Sequence, residues 1–376
     1  MKIIVAPDKF KGSLTSFEVC NAIITGIKRA DKSVKIFEFP MADGGDGFAA
    51  VMKHYHKTDT AYCDTVDPLG RSLAVSYEWN EKEKTAIIEM AVASGLVLLK
   101  QEELNPMLTS TLGTGLIIKN AIEKGANKII LGLGGSATND GGTGILSALG
   151  FQFVDENNKL LQASGGNLLN MKKILKPSFI PTIKFEIASD VQNILFGPQG
   201  AAYVYAAQKG AGEEQLKKLD KGLQNFAAII KNETGKDISS IPGTGAAGGI
   251  AAGLLPFFNV EMKKGIEMII DASKIKIALA DANLLITGEG KIDEQSREGK
   301  VVGYMAELAG EYDIPCIAVC GILELEETGI KTLGLQKAMA ISNNSITKEE
   351  AMKNAHELLA GKVSEILRFF EIIKKE

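Results

Sequence analysis

The chain has 376 residues, enough for two hydrophobic cores rather than one. Hydrophobic residues make up 45% and charged residues 23%, the balance of a soluble globular protein, and a formal net charge of −4 leaves no basic footprint for nucleic acid. No window offers about 20 apolar residues for a membrane span, and Met1 to Ala6 enters a strand at once, without the apolar stretch and cleavage site of a signal peptide, so a cytoplasmic location is expected.

The first sixty residues alternate strand and helix. Lys2 to Ala6 reads as a strand and Phe17 to Arg29 as a helix with Val19, Ala22, Ile23 and Ile27 on one face. Val34 to Phe39 reads as a second strand, and Gly47 to His54 as a short helix. Leu73 to Trp79 and Thr85 to Met90 then suggest a hairpin with the charged tip Asn80 to Lys84. Helices follow at Leu112 to Lys124 and Glu213 to Asn232, and Gly245 to Leu255 is a run of small residues suited equally to close packing or, at its glycine-rich start, to receiving an anion. The last hundred residues resume the alternation, with strands at Asn283 to Thr287, Ile314 to Cys320 and Lys337 to Ser342, and helices at Lys300 to Tyr312 and Glu349 to Lys374. Cys316 and Cys320 share a strand face and are expected in the core.

Apolar strands separated by helices predict an α/β protein with a doubly wound parallel sheet. The simplest arrangement is one domain from residues 1–70 plus 275–376, discontinuous in sequence, with a mixed α/β domain, 71–274, inserted. A cleft between them is the default ligand site.

Polar, glycine-flanked clusters fall at the ends of predicted strands, the edge at which open parallel sheets bind ligands. The richest is Gly134 to Gly142, with four glycines and four polar residues, Ser136, Thr138, Asn139 and Asp140, in nine positions. A permissive backbone with donors and an acid beside it suits anionic phosphates and their cation. Asp8, Lys9 and Lys11 follow the first strand; Asp43 and Asp46 stand among Gly44, Gly45 and Gly47 after the second. Asp67-Pro68-Leu69-Gly70-Arg71 is a turn signature whose arginine could clamp a carboxylate. Asp190 follows the strand Phe185 to Ala188, and Gly288, Glu289, Lys291 and Asp293 follow Leu284 to Ile286, continued by Gln295, Ser296, Gly299 and Lys300. A P-loop pattern and a G-x-S-x-G elbow are both missing. Gly132-Leu133-Gly134-Gly135-Ser136-Ala137 fits a dinucleotide fingerprint loosely, which keeps an NAD-linked hydroxy-acid dehydrogenase as one alternative. A nucleotide- or sugar-phosphate-binding regulator without catalysis is another.

Taken in order, the clusters resemble the type I glycerate kinase family. The matching stretches are Ala6 to Leu14, Pro40 to Gly47, Asp67 to Arg71, Thr109 to Gly115, Gly134 to Gly142, Gly197 to Ala201, Pro242 to Gly249, and Thr287 to Asp293 with Gln295-Ser296. The chain departs from the family's usual pattern at Lys9, Asp46, Lys291 and Gly200, where Ser, Glu, Arg and Lys are common. The resemblance implies two α/β domains, one of them Rossmann-like, and transfer of the γ-phosphoryl of ATP to a hydroxyl of D-glycerate with Mg²⁺, giving 2-phosphoglycerate in many members. Neither nucleic acid nor membrane is an expected partner, and a homo-oligomer is open. On this reading Arg71 or Lys9 holds the glycerate carboxylate, Asp190 accepts the hydroxyl proton, and Lys11 or Lys291 neutralises the phosphoryl group. Gly134, Gly135, Ser136, Thr138, Asn139, Gly288 and Lys291 bind the nucleotide, with the Gly134–Gly142 loop cradling its phosphates or the substrate, and Mg²⁺ sits among Asp43, Asp46, Asp140, Glu289 and Asp293.

Overall fold

In the computed structural model, which describes residues 1–297, 300–342 and 346–373, the chain divides into two units. The terminal unit comprises Met1–Asp43 and Ile266–Glu376; the inner unit is Gly44–Gly265.

The terminal unit is built on five parallel strands in the order Lys337–Ala340, Cys316–Leu323, Leu284–Ile292, Lys2–Val5, Lys35–Glu38. Val5 stands beside Ile286, so segments from the N-terminal and C-terminal parts of the chain meet in one sheet. Ile3, Val5, Leu284, Ile286, Ile317 and Val319 form a core with Val19, Ile23 and Ile27 of the helix Ser16–Ala30 and Leu359 and Val363 of the helix Ala355–Ile373. Central parallel strands buried this way need the near-continuous apolar runs seen here. Cys316 and Cys320 are buried, and burial pushes both thiols up.

The inner unit holds a six-stranded mixed sheet in the order Asn259–Lys263, Lys184–Ala188, Lys128–Gly132, Thr85–Glu89, Ser72–Asn80, Asp59–Val66. Its first four strands run parallel, and Ser72–Asn80 runs antiparallel to both of its neighbours. A small three-stranded sheet, Leu160–Leu161, Gln152–Val154 and Lys173–Leu175, lies beyond. Among the described residues no helix is long and apolar enough to cross a membrane.

Several expectations change. Residues 44–70 belong to the inner unit, not the terminal one. The helix Phe48–His56 packs on Thr85–Glu89, with Ala49 N–H donating to Glu89 Oε1 at 2.7 Å, and Asp59–Val66 pairs antiparallel with Ser72–Asn80. The return boundary falls at Ile266, nine residues before 275. Thr15 caps the first helix through a reciprocal box with Glu18, and Ser13 donates to the Met352 carbonyl. The long C-terminal helix is two, Lys348–Lys353 and Ala355–Ile373, separated at Asn354. Gly245 to Leu255 is kinked, because Ala247 and Gly249 adopt left-handed backbone. The strand from Leu284 continues to Ile292, so Gly288, Glu289 and Lys291 lie within it rather than in a following loop. Gly299 and Lys374 lie outside the described residues.

Candidate active site

In the inner unit, three separate stretches gather at the C-terminal edge of the parallel strands. Gly134 lies against the loop carrying Asp46: a Cβ on Gly134 would stand 2.5 Å from Gly45 Cα. Gly44, at φ +90°, faces Asp190 Oδ2, 3.4 Å from where its own Cβ would be. Asp190 Oδ1 accepts the Gly265 N–H at 3.1 Å. Asp46 is exposed and Asp190 half-buried.

The Gly134–Gly142 loop is tied down on several sides. Ala137 N–H donates to the Ser94 carbonyl at 2.9 Å, and Thr109 Oγ1 donates to the Ala137 carbonyl at 2.8 Å. Asp140 is fully buried and accepts from Thr111 N–H and Oγ1–H, both at 2.8 Å, and from Gly142 and Gly144 N–H, both at 3.1 Å. Burial pushes its carboxyl up; the bonds from Thr111, Gly144 and Gly142 oppose that. With both oxygens committed inside the protein, Asp140 anchors the loop and starts the helix Thr143–Ala148, instead of meeting a cation as expected. Beneath the loop, Lys209 is 2% exposed and donates to Ser136 Oγ and to the Thr138 carbonyl, both at 2.7 Å. Burial pushes its ammonium down to about 7, against the opposing field of Asp140. Thr138 Oγ1 and both amide atoms of Asn139 are buried without a hydrogen-bond partner among the described residues. The helix opens only at Thr143, six residues past Ala137, so the dinucleotide fingerprint lacks the strand–turn–helix geometry it requires.

In the terminal unit, Asp8 N–H donates to the Gly288 carbonyl at 2.8 Å, which brings Asp8 alongside Glu289. Lys9 Nζ stands 4.0 Å from both Asp8 Oδ1 and Asp43 Oδ1. Burial pushes the Asp8 carboxyl up to about 7; Lys9 opposes this, and Asp43 and Glu289 add to it. Glu289, which accepts from Ser296 Oγ, is likewise raised by burial to about 7, opposed by Ser296 and Lys300 and reinforced by Asp293 and Asp43. Asp293 goes the other way: burial would raise it, but Lys291 and Lys300, each at 3.3 Å, hold it low. Lys291 also pairs with Glu324 at 2.7 Å, and Lys11 is exposed. Gly288 serves the sheet, since a Cβ there would stand 2.5 Å from the Val319 carbonyl oxygen.

Arg71 departs from its expected role. It closes the Asp67–Arg71 turn, with Nε on Asp67 and its Nη1 on Glu103 at 2.6 Å, so both edges of the guanidinium already hold carboxylates. Burial alone would raise Asp67; the bonds from Arg71 and Leu69 hold it low.

Lys209, Thr111 and Glu89 are the polar anchors that strand-end reasoning passes over. For Lys209 the signal is slight: it is the lone charged residue between Ala201 and Ala211. Among the described residues no group of three or more His, Cys, Asp or Glu is arranged to hold a metal ion.

An α/β scaffold with carboxylates, lysines and a glycine loop at parallel strand ends is the equipment of a phosphotransferase. The chain belongs to the glycerate kinase family, whose model matches residues 3–371. It is 38% identical to the glycerate kinase of Bacillus cereus over 100% of both chains. It is 37% identical to the glycerate 2-kinase of Escherichia coli K12, over 95% of this chain and 94% of the relative. A crystal structure from Salmonella typhimurium LT2, provisionally assigned as glycerate kinase 2, superposes with a TM-score of 0.87 at 34% identity, covering 100% of both chains.

Proposed function

We propose that this protein transfers the γ-phosphoryl group of ATP to a hydroxyl of D-glycerate, giving 2-phosphoglycerate as the name of the Escherichia coli relative suggests. The observation that carries the reading is the convergence of Asp46, Asp190 and Gly134 at one strand-end edge, in a chain that matches the family nearly end to end.

Phosphoryl transfer asks a protein mostly for positioning and charge neutralisation. Asp190 accepts the proton of the glycerate hydroxyl; its Oδ1 is oriented by the Gly265 N–H. Lys9 takes the glycerate carboxylate, since Arg71 is occupied by Asp67 and Glu103. Lys11, which is exposed, offsets the charge of the phosphoryl group, since Lys291 is held by Asp293 and Glu324 as Arg71 is by its own pair, and the Gly134–Gly142 loop receives the nucleotide phosphates. The unpartnered Thr138 hydroxyl and Asn139 amide fit a polar ligand at that loop. Mg²⁺ usually takes one or two carboxylates together with phosphate oxygens and water. Asp43, Glu289 and Asp293 of the terminal unit, or Asp46 of the inner unit, would supply so few, and the ion would neutralise phosphate charge. The terminal sheet, with its helices, is read as Rossmann-like.

Phosphorus-31 NMR of the protein with ATP, Mg²⁺ and D-glycerate tests this. ADP and a 2-phosphoglycerate resonance should appear together. ATP loss that does not depend on glycerate, in folded protein, would overturn the reading.

A further inference from the structure

The Gly134–Gly142 loop contains one hydroxyl whose orientation is set by a charge. Ser136 Oγ has the Lys209 ammonium as its hydrogen-bond partner, and the same ammonium holds the Thr138 carbonyl two residues on. A hydroxyl has one hydrogen to give and two lone pairs to receive with. An ammonium has only donors, so Ser136 Oγ must accept from Lys209, and its own hydrogen is left to point elsewhere. Lys209 itself comes from the short turn Ala207–Lys209, distant in sequence, and is almost wholly buried.

We propose that Lys209 is a positioning residue for phosphoryl transfer: by donating to Ser136 Oγ and the Thr138 carbonyl, it turns the single hydrogen of the Ser136 hydroxyl toward a phosphoryl oxygen of the bound nucleotide. The inference rests on the reading of this loop as the phosphate cradle. It also assigns a direction. A neutral amine at Lys209 keeps a lone pair, and Ser136 would then donate inward to Nζ and present only lone pairs outward, where they repel a phosphate. Deprotonating one buried group thus reverses the polarity of the loop toward its ligand. Burial already brings Lys209 into the range where this reversal occurs, and Asp140 is the charged side chain whose field holds the proton on. Bound phosphate would hold it more firmly by the same attraction.

The test uses steady-state kinetics of the full chain across pH, with Lys209→Met, Ser136→Ala, the double variant and Lys209→Arg. Wild-type turnover of ATP and glycerate comes first, because its absence would refute the function and not this role. Given turnover, Lys209→Met should lower kcat/KM for ATP at least tenfold, with KM for glycerate changed far less. Ser136→Ala should lower it similarly, and the double variant should be no worse than the poorer single one. The basic limb of the wild-type profile should be absent in Ser136→Ala. Lys209→Arg, charged at every pH, should retain part of the rate and also lack that limb. Additive losses from the two singles, or an unchanged pH profile in Ser136→Ala, would overturn the proposal. Should Lys209→Met fail to fold, the Ser136→Ala profile decides alone, since that change removes one oxygen from a loop position.

Discussion

Asp8 is a carboxyl kept where a carboxylate is uncomfortable, and replacing it by asparagine should expose the cost. Its environment raises it from 3.8 to about 7, chiefly by burial, with Asp43 and Glu289 adding repulsion that Lys9 only partly offsets. Between those two values the folded chain binds the proton more tightly than the unfolded chain does. Stability contributed by this group is therefore greatest below about pH 4 and is lost as pH rises toward 7, after which the penalty is constant. Roughly three units at 1.36 kcal/mol each give a penalty of at most about 4 kcal/mol at pH 8. Asp8→Asn keeps the acceptor for the Lys9 N–H and removes the charge. Thermal unfolding at pH 5 and pH 8 should show the variant gaining on wild type at pH 8 by several degrees, with a much smaller gain at pH 5. Glycerate phosphorylation should fall, by two orders of magnitude or more, if the strained carboxyl is kept for function. Parallel stability curves for the two proteins from pH 5 to pH 8 would refute the argument.

Two further outcomes separate functional from structural acids. Asp190→Asn retains an acceptor for the Gly265 N–H, so its circular dichroism should match wild type while kcat falls at least a hundredfold; a kcat within threefold would remove Asp190 from the mechanism. Asp140→Ala strands four buried donors from Thr111, Gly142 and Gly144 and should lower the melting temperature by on the order of 10 °C; a shifted Mg²⁺ dependence at unchanged melting temperature would instead make it a metal ligand.

The sequence reveals most where a local rule acts alone. The hairpin around Asn80 to Lys84 forms with Asn80 opposite Thr85, as its alternation and charged tip require. The buried parallel strands of the terminal sheet show themselves by runs such as Ile3-Ile4-Val5 and Leu284-Leu285-Ile286. The domain boundary was less legible, because the choice of sheet for residues 44–70 depends on partners that lie later in the chain, Glu89 among them. Side-chain roles were harder still. Asp140 and Asp190 read alike as acids beside glycines, yet one is fully buried under four donors and the other half-exposed at the strand edge. Arg71 was lost as a clamp only because Glu103, far along the chain, reaches its second edge. Pairings between distant residues decide whether a charged group faces a ligand or another side chain, and such pairings leave no mark on spacing.

The placement of Lys2–Val5 beside Leu284–Ile292 bears on how the protein is made. During synthesis the first strand leaves the ribosome more than 280 residues ahead of its central neighbour. Over that interval the inner unit, contiguous from Gly44 to Gly265, has all of its sheet partners at hand, while Ile3, Ile4 and Val5 wait with an unpaired apolar edge. Slow elongation or a stall past residue 265 would leave a folded inner unit tethered to an adhesive N-terminal arm. A chaperone that shelters short apolar strands would matter most to this protein in that window, and truncations ending there should aggregate through the arm.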